Sequence, residues 1–267
     1  MPCVLTSRRL LLIRLLALVL AAMLLLASGC AQRHRADRAV FDAGYAALQA
    51  GHWSRAVKQF SRYLRMDPDS ANRGEVYYYR GQALVHLERR PEAKADFLRA
   101  VGADARPPID QLARVALGNL YYEGGDDLEA VKQYAAVLRD PHEAVPVPHV
   151  LLRTGVALAR LGRWHTGKRY LRCLMARYPD SPAAGQAARY MAADAFRVQT
   201  GAFAARASAD VQARRVRQAG FVPRLAQVNR SGRRLTVVQV GRERTYSGAA
   251  SLAQRLRRAG FDTLIVP

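Results

Sequence analysis

Few residues of this chain have the type and spacing that covalent chemistry needs. Its cysteines, Cys3, Cys30 and Cys173, are too far apart for a disulfide framework or a metal-ligand cluster. The histidines, at 34, 52, 86, 142, 149 and 165, are scattered. No G-x-S-x-G, H-E-x-x-H or phosphate-loop pattern occurs, and the carboxylates are spread along expected helix faces. These observations point to binding rather than catalysis, with no cofactor and no metal. Two features remain. Cys30 closes an apolar run, and Gln199 and Gln239 each sit in a segment that alternates apolar with polar residues. An amide both donates and accepts hydrogen bonds, which suits a neutral polar ligand.

The charge narrows the partners. The 267 residues carry a formal +21, and half of them are apolar. A core is affordable, and polyanionic or anionic-surface partners are favoured. Residues 1–29 contain no acid; Arg8, Arg9 and Arg14 precede the uncharged stretch Leu15–Ala27. That stretch is short for a membrane span, which needs about 20 residues, and fits the core of a secretory signal. It ends Leu26-Ala27-Ser28-Gly29-Cys30, which resembles the lipobox of bacterial lipoproteins, with Ala27 where the pattern prefers leucine. The resemblance implies cleavage before Cys30 and acylation of its thiol. Several acyl chains suffice for stable anchoring. Ala31 rather than Asp follows the cysteine, so the expected site is the outer rather than the inner membrane, facing the periplasm. Residues 30–36 read as a short linker. Export makes nucleic acid an unexpected partner.

The middle of the chain repeats every 37 residues. Gly44, Gly81, Gly118 and Gly155 form one column; Ala56, Ala93, Ala130 and Gly167 a second; Phe60, Phe97, Tyr134 and Leu171 a third. Each copy predicts two antiparallel helices whose backbones approach at the small residues, with the large residue filling space beside the preceding helix. Pro68, Pro141 and Pro179 close copies. These columns resemble the tetratricopeptide repeat, whose usual period is three residues shorter, so longer turns between repeats are expected. Ser181-Pro182 opens a capping helix expected over 183–195. The array, 37–195, implies a concave surface for a protein partner. Of Tyr77, Tyr78 and Tyr79, one or two should be core and the rest exposed. Cys173 reads as a small buried hydrophobe.

Composition shifts after residue 195. Residues 196–267 hold 14 Arg, no Lys and three acids. Strands are predicted over 196–201, 221–228, 235–241 and 261–266, and helices over 208–219 and 247–259. On the first helix Val211, Arg215 and Ala219 stack on one face; Gly220 and Gly260 stop the two helices. The order βαββαβ suggests a four-stranded antiparallel sheet with both helices on one face. This segment resembles the SPOR domain, a bacterial envelope module that binds peptidoglycan. Val198-Gln199-Thr200-Gly201-Ala202-Phe203 matches its V-Q-x-G-x-F strand. In the third strand Val237 stands where the pattern has arginine and Glu243 where it has an aromatic. The resemblance implies that the open sheet face binds glycan strands, with Gln199, Arg197, Gln239 and Val237 on that face. RNA-binding domains of the same strand order carry stacking aromatics that are absent here.

The expected fold is thus an α-solenoid of repeat helix pairs followed by a small α+β SPOR domain. The expected function is a non-enzymatic envelope lipoprotein that binds peptidoglycan glycan strands and recruits a protein through its repeats, at the division septum or elsewhere on the wall. The alternative is a scaffold for secretion or polysaccharide-export machinery whose C-terminal module only docks.

Overall fold

The structure is a computed structural model that describes residues 38–267 except 69, 104–106 and 231. The expected signal segment and Cys30 lie outside the described residues. Among the described residues nine helices come first: α1 (38–49), α2 (Trp53–Met66), α3 (Arg73–His86), α4 (Arg90–Gly102), α5 (Ile109–Gly124), α6 (Asp127–Val137), α7 (Val147–Arg160), α8 (Trp164–Arg177) and α9 (Pro182–Ala192). Then follow β1 (Phe196–Phe203), α10 (Arg206–Gln218), β2 (Pro223–Arg230), β3 (Arg233–Glu243), α11 (Tyr246–Arg258) and β4 (Leu264–Val266).

The three sequence columns are the packing device of the helix pairs. A Cβ on Gly44, Gly81, Gly118 or Gly155 would stand 2.9, 2.6, 2.6 and 2.5 Å from the side chain of Phe60, Phe97, Tyr134 and Leu171 respectively. The large residue of the second helix therefore lies directly on the glycine of the first, a fit that any added methyl would overpack. Ala56, Ala93 and Ala130 are fully buried between the helices. In the fourth copy that column is Gly167, where a Cβ would meet the Gly155 carbonyl at 2.6 Å. There the two backbones touch, and alanine no longer fits.

A fourth column emerges at the turns inside the pairs. Gly51, Glu88, Gly125 and Gly162, again 37 apart, have φ of 72°, 58°, 84° and 78°. Each follows a helix end, and the next residue donates its backbone N–H five residues back: His52 to Ala47, Arg89 to Leu84, Asp126 to Tyr121 and Arg163 to Leu158, at 2.8–2.9 Å. These are Schellman turns, which favour glycine because a Cβ is strained at positive φ. Glu88 is the exception and is exposed. Glu88→Gly is expected to raise stability by about 0.5–1 kcal/mol, seen as a higher urea midpoint with unchanged slope; no gain would mean that the turn is not strained. The connections between repeats, residues 67–72, 103–108 and 138–146, are longer than these tight turns, as the 37-residue period requires.

The chain divides into two compact units, one ending at Asp110 and one beginning at Gln111. In the first, α3 carries the tyrosine triplet. Tyr78 is buried, Tyr79 joins an aromatic cluster with Phe41, Phe60 and Tyr45, and Tyr77 is half-exposed beneath the Arg80 and Arg99 guanidinium groups, 5.6 and 5.7 Å from its ring. Arg80 forms a two-pronged ion pair with Asp96 of α4 (2.6 and 2.7 Å) and donates to Ser61 of α2 (3.1 Å). Asp96 is 1% exposed, so this pair joins three helices inside the unit.

In the second unit, α5–α9 lead directly into the sheet. Its order is β2-β3-β1-β4 with every neighbour antiparallel, and α10 and α11 pack on one face. Their ends repeat the Schellman device. Gly220 and Gly260 are at φ 84°, and Phe221 and Phe261 donate back to Val216 and Leu256 while their rings join the core. Three expectations shift. The capping helix spans Pro182–Ala192, capped by Ser181, because Ala193 leaves helical geometry and leads into β1. On α10 the buried face is Ala209, Ala213 and Val216, whereas Val211 is 48% exposed; the small residues, not the larger valine, allow close approach to the sheet. Cys173 is half-buried rather than fully enclosed.

Candidate functional site

The four sequence-chosen residues share one sheet face. Val198, Val238, Leu225 and Ile265 pack against α10 and α11, so by strand alternation Arg197, Gln199, Val237 and Gln239 belong to the opposite face. Gln199 and Gln239 are direct partners on the two central strands. Beyond them Arg224 of β2 pairs with Gln239, and Leu264 of β4 with Gln199. One row across all four strands therefore reads Arg224, Gln239, Gln199, Leu264. It presents a guanidinium, two amides and an exposed apolar side chain, which can hold a chain of polar rings by their edges and cover their apolar faces. Arg224 and Leu264 were not singled out in the sequence. The alternation of β2, with Leu225 inward, was the signal that could have found Arg224.

The four residues are not equally available. Gln239 and Arg197 are half-buried, and Gln199 is 8% exposed. Val237 has no accessible surface. It sits on a central strand between Ala202 and Ala226. A ligand on the sheet would meet its neighbours instead, so Val237 is not a contact residue. Glu243 pairs with Phe196 on the helix side, and its carboxylate lies at the start of α11, where a Cβ on Gly248 would be 3.0 Å from Oε2. A carboxylate at a helix N-terminus is favourable. The two departures from the sequence pattern thus leave the amide row intact.

Two irregularities shape this face. β1 and β3 shift register between Phe196 and Val198 and between Gln199 and Gly201. The second bulge places Thr200 outside the ladder; its carbonyl accepts from Gln212 Nε2 at 3.1 Å, so the freed group stays satisfied. Gly201 makes room for the Phe203 ring, which a Cβ would meet at 2.6 Å. The glycine and phenylalanine of the V-Q-x-G-x-F strand are therefore packing partners.

The repeats do more than precede this domain. The sequence boundary at residue 196 is no break in packing: Ala159, Trp164, Ala193, Phe196 and Ala249 form one buried cluster. The Trp164 ring lies 4.9 Å from that of Phe196, and its Nε1 donates to the Arg244 carbonyl at 2.8 Å. Arg160 stands between the Tyr122 and Tyr246 rings, 4.8 and 4.7 Å from their centres, and its Nε is 3.1 Å from Asp127 Oδ2. Burial pushes the Asp127 carboxyl up to about 6, outweighing the opposing pull of Arg160. A group whose folded pKa is raised stabilises fully below its unfolded pKa and loses that contribution as pH rises through the folded one. The wild-type thermal midpoint, relative to Asp127→Asn, is therefore expected to fall between about pH 4 and pH 6; a constant difference would contradict this.

Among the described residues no three His, Cys, Asp or Glu side chains converge as metal ligands, and no helix is long and apolar enough to cross a membrane.

Comparison with known proteins fits this geometry. A model of the SPOR domain matches residues 192–267. One tetratricopeptide repeat model matches residues 12–71, 41–108 and 78–146, together more than half of the chain, and another matches 149–181. No curated protein matches. Among solved structures, a tetratricopeptide repeat protein from Parabacteroides merdae ATCC 43184 is similar at 13% identity and a TM-score of 0.52, covering 59% of this chain and 59% of its own. At that identity the likeness is one of fold, and this chain spans little more than half of that protein. MamA MSR-1 (26% identity, TM-score 0.46, 58% of this chain and 82% of its own) and YrrB, described as a TPR protein with an unusual peptide-binding site (24%, 0.47, 61% and 87%), are also similar. By the repeat columns, the helix pairs they build and the models they match, the chain belongs to the tetratricopeptide repeat family and ends in a SPOR domain.

Proposed function

We propose that this protein is a cell-envelope lipoprotein, held in a membrane through acylated Cys30 and facing the periplasm, that binds peptidoglycan glycan strands on its SPOR sheet and recruits a protein through its repeats. It catalyses nothing; it positions a partner at the wall, the division septum being the favoured place. The observation that carries this reading is the row Arg224, Gln239, Gln199, Leu264 across the sheet. Two amides side by side match the hydroxyl and N-acetyl groups of a glycan, and 14 arginines in residues 196–267 favour an anionic polymer.

The test in cells uses the full chain. Palmitate labelling should require Cys30 and vanish in Cys30→Ala. The protein should co-fractionate with sacculi, more so with sacculi stripped of stem peptides, and lose that fraction when 196–267 are deleted. Unchanged fractionation after the deletion would overturn the wall-binding role and favour the secretion or export scaffold.

A further inference from the structure

A hollow stands beside α8 that the repeat columns do not predict. In the common register α8 runs six residues past Leu171, to Arg177, whereas α6 stops at Val137, three residues past Tyr134. The second helix of the fourth pair therefore outruns its neighbour by three residues, about 4.5 Å. Leu138, Arg139 and Pro141 of the following connection edge the gap, which is a cavity of about 480 Å³ between α8, the start of α7 and the end of α6. We propose that this cavity binds a single acyl chain bearing an anionic head group, with Arg139, Arg169 and Arg177 as the groups that hold the head. It is a site separate from the amide row of the sheet.

The floor of the cavity is the edge of a hydrophobic core. Leu151 is buried, and Leu138, Val147 and Tyr178 are half-buried against the same cluster, so apolar surface stays open to water there. A hydrocarbon chain gains free energy by covering it. The rim is cationic. Arg169, Cys173 and Arg177 follow one another at intervals of four, which sets them in one row along α8, and Arg139 joins them from the connection. Among the described residues no carboxylate lines the cavity, and none of the three arginines has an ion-pair or hydrogen-bond partner. Arg80, Arg89 and Arg160, by contrast, each pair with a carboxylate. Residues 163–179 hold four arginines, one lysine and no acid, so the positive potential at the mouth is not offset along α8. Arg139, Arg169 and Arg177 are all exposed and can turn to a carboxylate or phosphate without breaking an existing bond. An apolar floor beneath an unpaired cationic rim fits a ligand that is hydrocarbon at one end and anionic at the other. An inorganic anion would leave the floor wet, and a neutral chain would leave the rim unpaired.

Cys173 reports occupancy, because its half-buried thiol lines the cavity. The measurement is the rate at which N-ethylmaleimide alkylates Cys173, read by mass spectrometry of the peptide that contains it. The protein is the full chain with Cys30→Ala, so that no acyl chain of its own competes. Laurate and lysophosphatidylglycerol, below micelle-forming concentrations, are the probes; dodecyltrimethylammonium and inorganic phosphate are the controls. A probe at about ten times its Kd is expected to slow alkylation about tenfold, whereas neither control slows it. Protection by laurate alone assigns a fatty carboxylate, and by the lysophospholipid alone a phospholipid; either supports the proposal. Arg169→Glu with Arg177→Glu should raise the probe concentration needed by about tenfold to a hundredfold, with an unchanged melting curve, and should let dodecyltrimethylammonium protect instead. Arg169→Lys with Arg177→Lys should keep the preference for the anionic probes. No protection by either probe, equal protection by dodecyltrimethylammonium or by phosphate, or indifference to the paired charge reversal overturns the proposal. Protection that rises with protein concentration alone would mean that a second copy covers the cavity, and overturns it as well.

Discussion

Trp164→Ala is expected to detach the C-terminal domain from the repeats while leaving both folded. Trp164 is 8% exposed, and truncating a buried tryptophan costs about 3–5 kcal/mol through lost burial and the cavity left behind. Here the cavity opens beside Phe196, the first residue of β1, and the Arg244 carbonyl loses its donor. The contacts left between the repeats and the end of β3 with the start of α11 are then Gly162 against the Arg244 backbone and the Thr245 methyl, Arg160 over the Tyr246 ring, and the exposed Arg242–Asp194 pair. Limited trypsin digestion should cut at Arg242 and Arg244 in the variant and spare them in the wild type. Trp164→Phe, which keeps most of the ring contact and loses one hydrogen bond, should cost only about 1 kcal/mol. Because the amide row faces away from this junction, glycan binding should survive. A variant as trypsin-resistant as the wild type would show that the cluster does not hold the domain.

Asp96→Ala is expected to destabilise the first unit by about 3–5 kcal/mol, because it strands a buried guanidinium. The Arg80 side chain is 18% exposed and loses both charge-assisted bonds. Replacing both partners by apolar residues, Arg80→Met with Asp96→Leu, should recover most of the loss, since the desolvation cost disappears with the charges. The chain has two tryptophans, Trp53 in the first unit and Trp164 in the second. In a Trp164→Phe background the urea transition seen by Trp53 fluorescence therefore reads the first unit alone. If the single and double substitutions cost the same, the ion pair is not what joins α2, α3 and α4.

How much of this was legible in the sequence depends on whether a contact repeats. Gly44, Ala56 and Phe60 could be read because the same contact occurs four times, each copy one period on. The left-handed turn column was also in phase, but Glu88 obscured it, since glutamate gives no hint of positive φ. Trp164 hid for the opposite reason. It falls in register with Trp53, Arg90 and Asp127, and so looks like one more repeat position, whereas its contacts are with Phe196 and Arg244, far along the chain. In the C-terminal domain, alternation correctly placed Gln199 and Gln239 on one face. It could not show that Val237, on that same face, has no accessible surface, because burial depends on the residues of two other strands. Nor could it anticipate the bulge at Thr200, which is a matter of register between strands.

The central claim is that the paired amides of β1 and β3 hold glycan. The direct measurement is the affinity of the purified full chain for glycan strands stripped of stem peptides, by cosedimentation at moderate salt, with the Gln199→Leu, Gln239→Leu double variant alongside. Each lost hydrogen bond is worth about 0.5–1.5 kcal/mol, so binding should weaken roughly tenfold to a hundredfold while the melting curve stays in place. No binding by the wild type, or equal binding by the double variant, would contradict the claim.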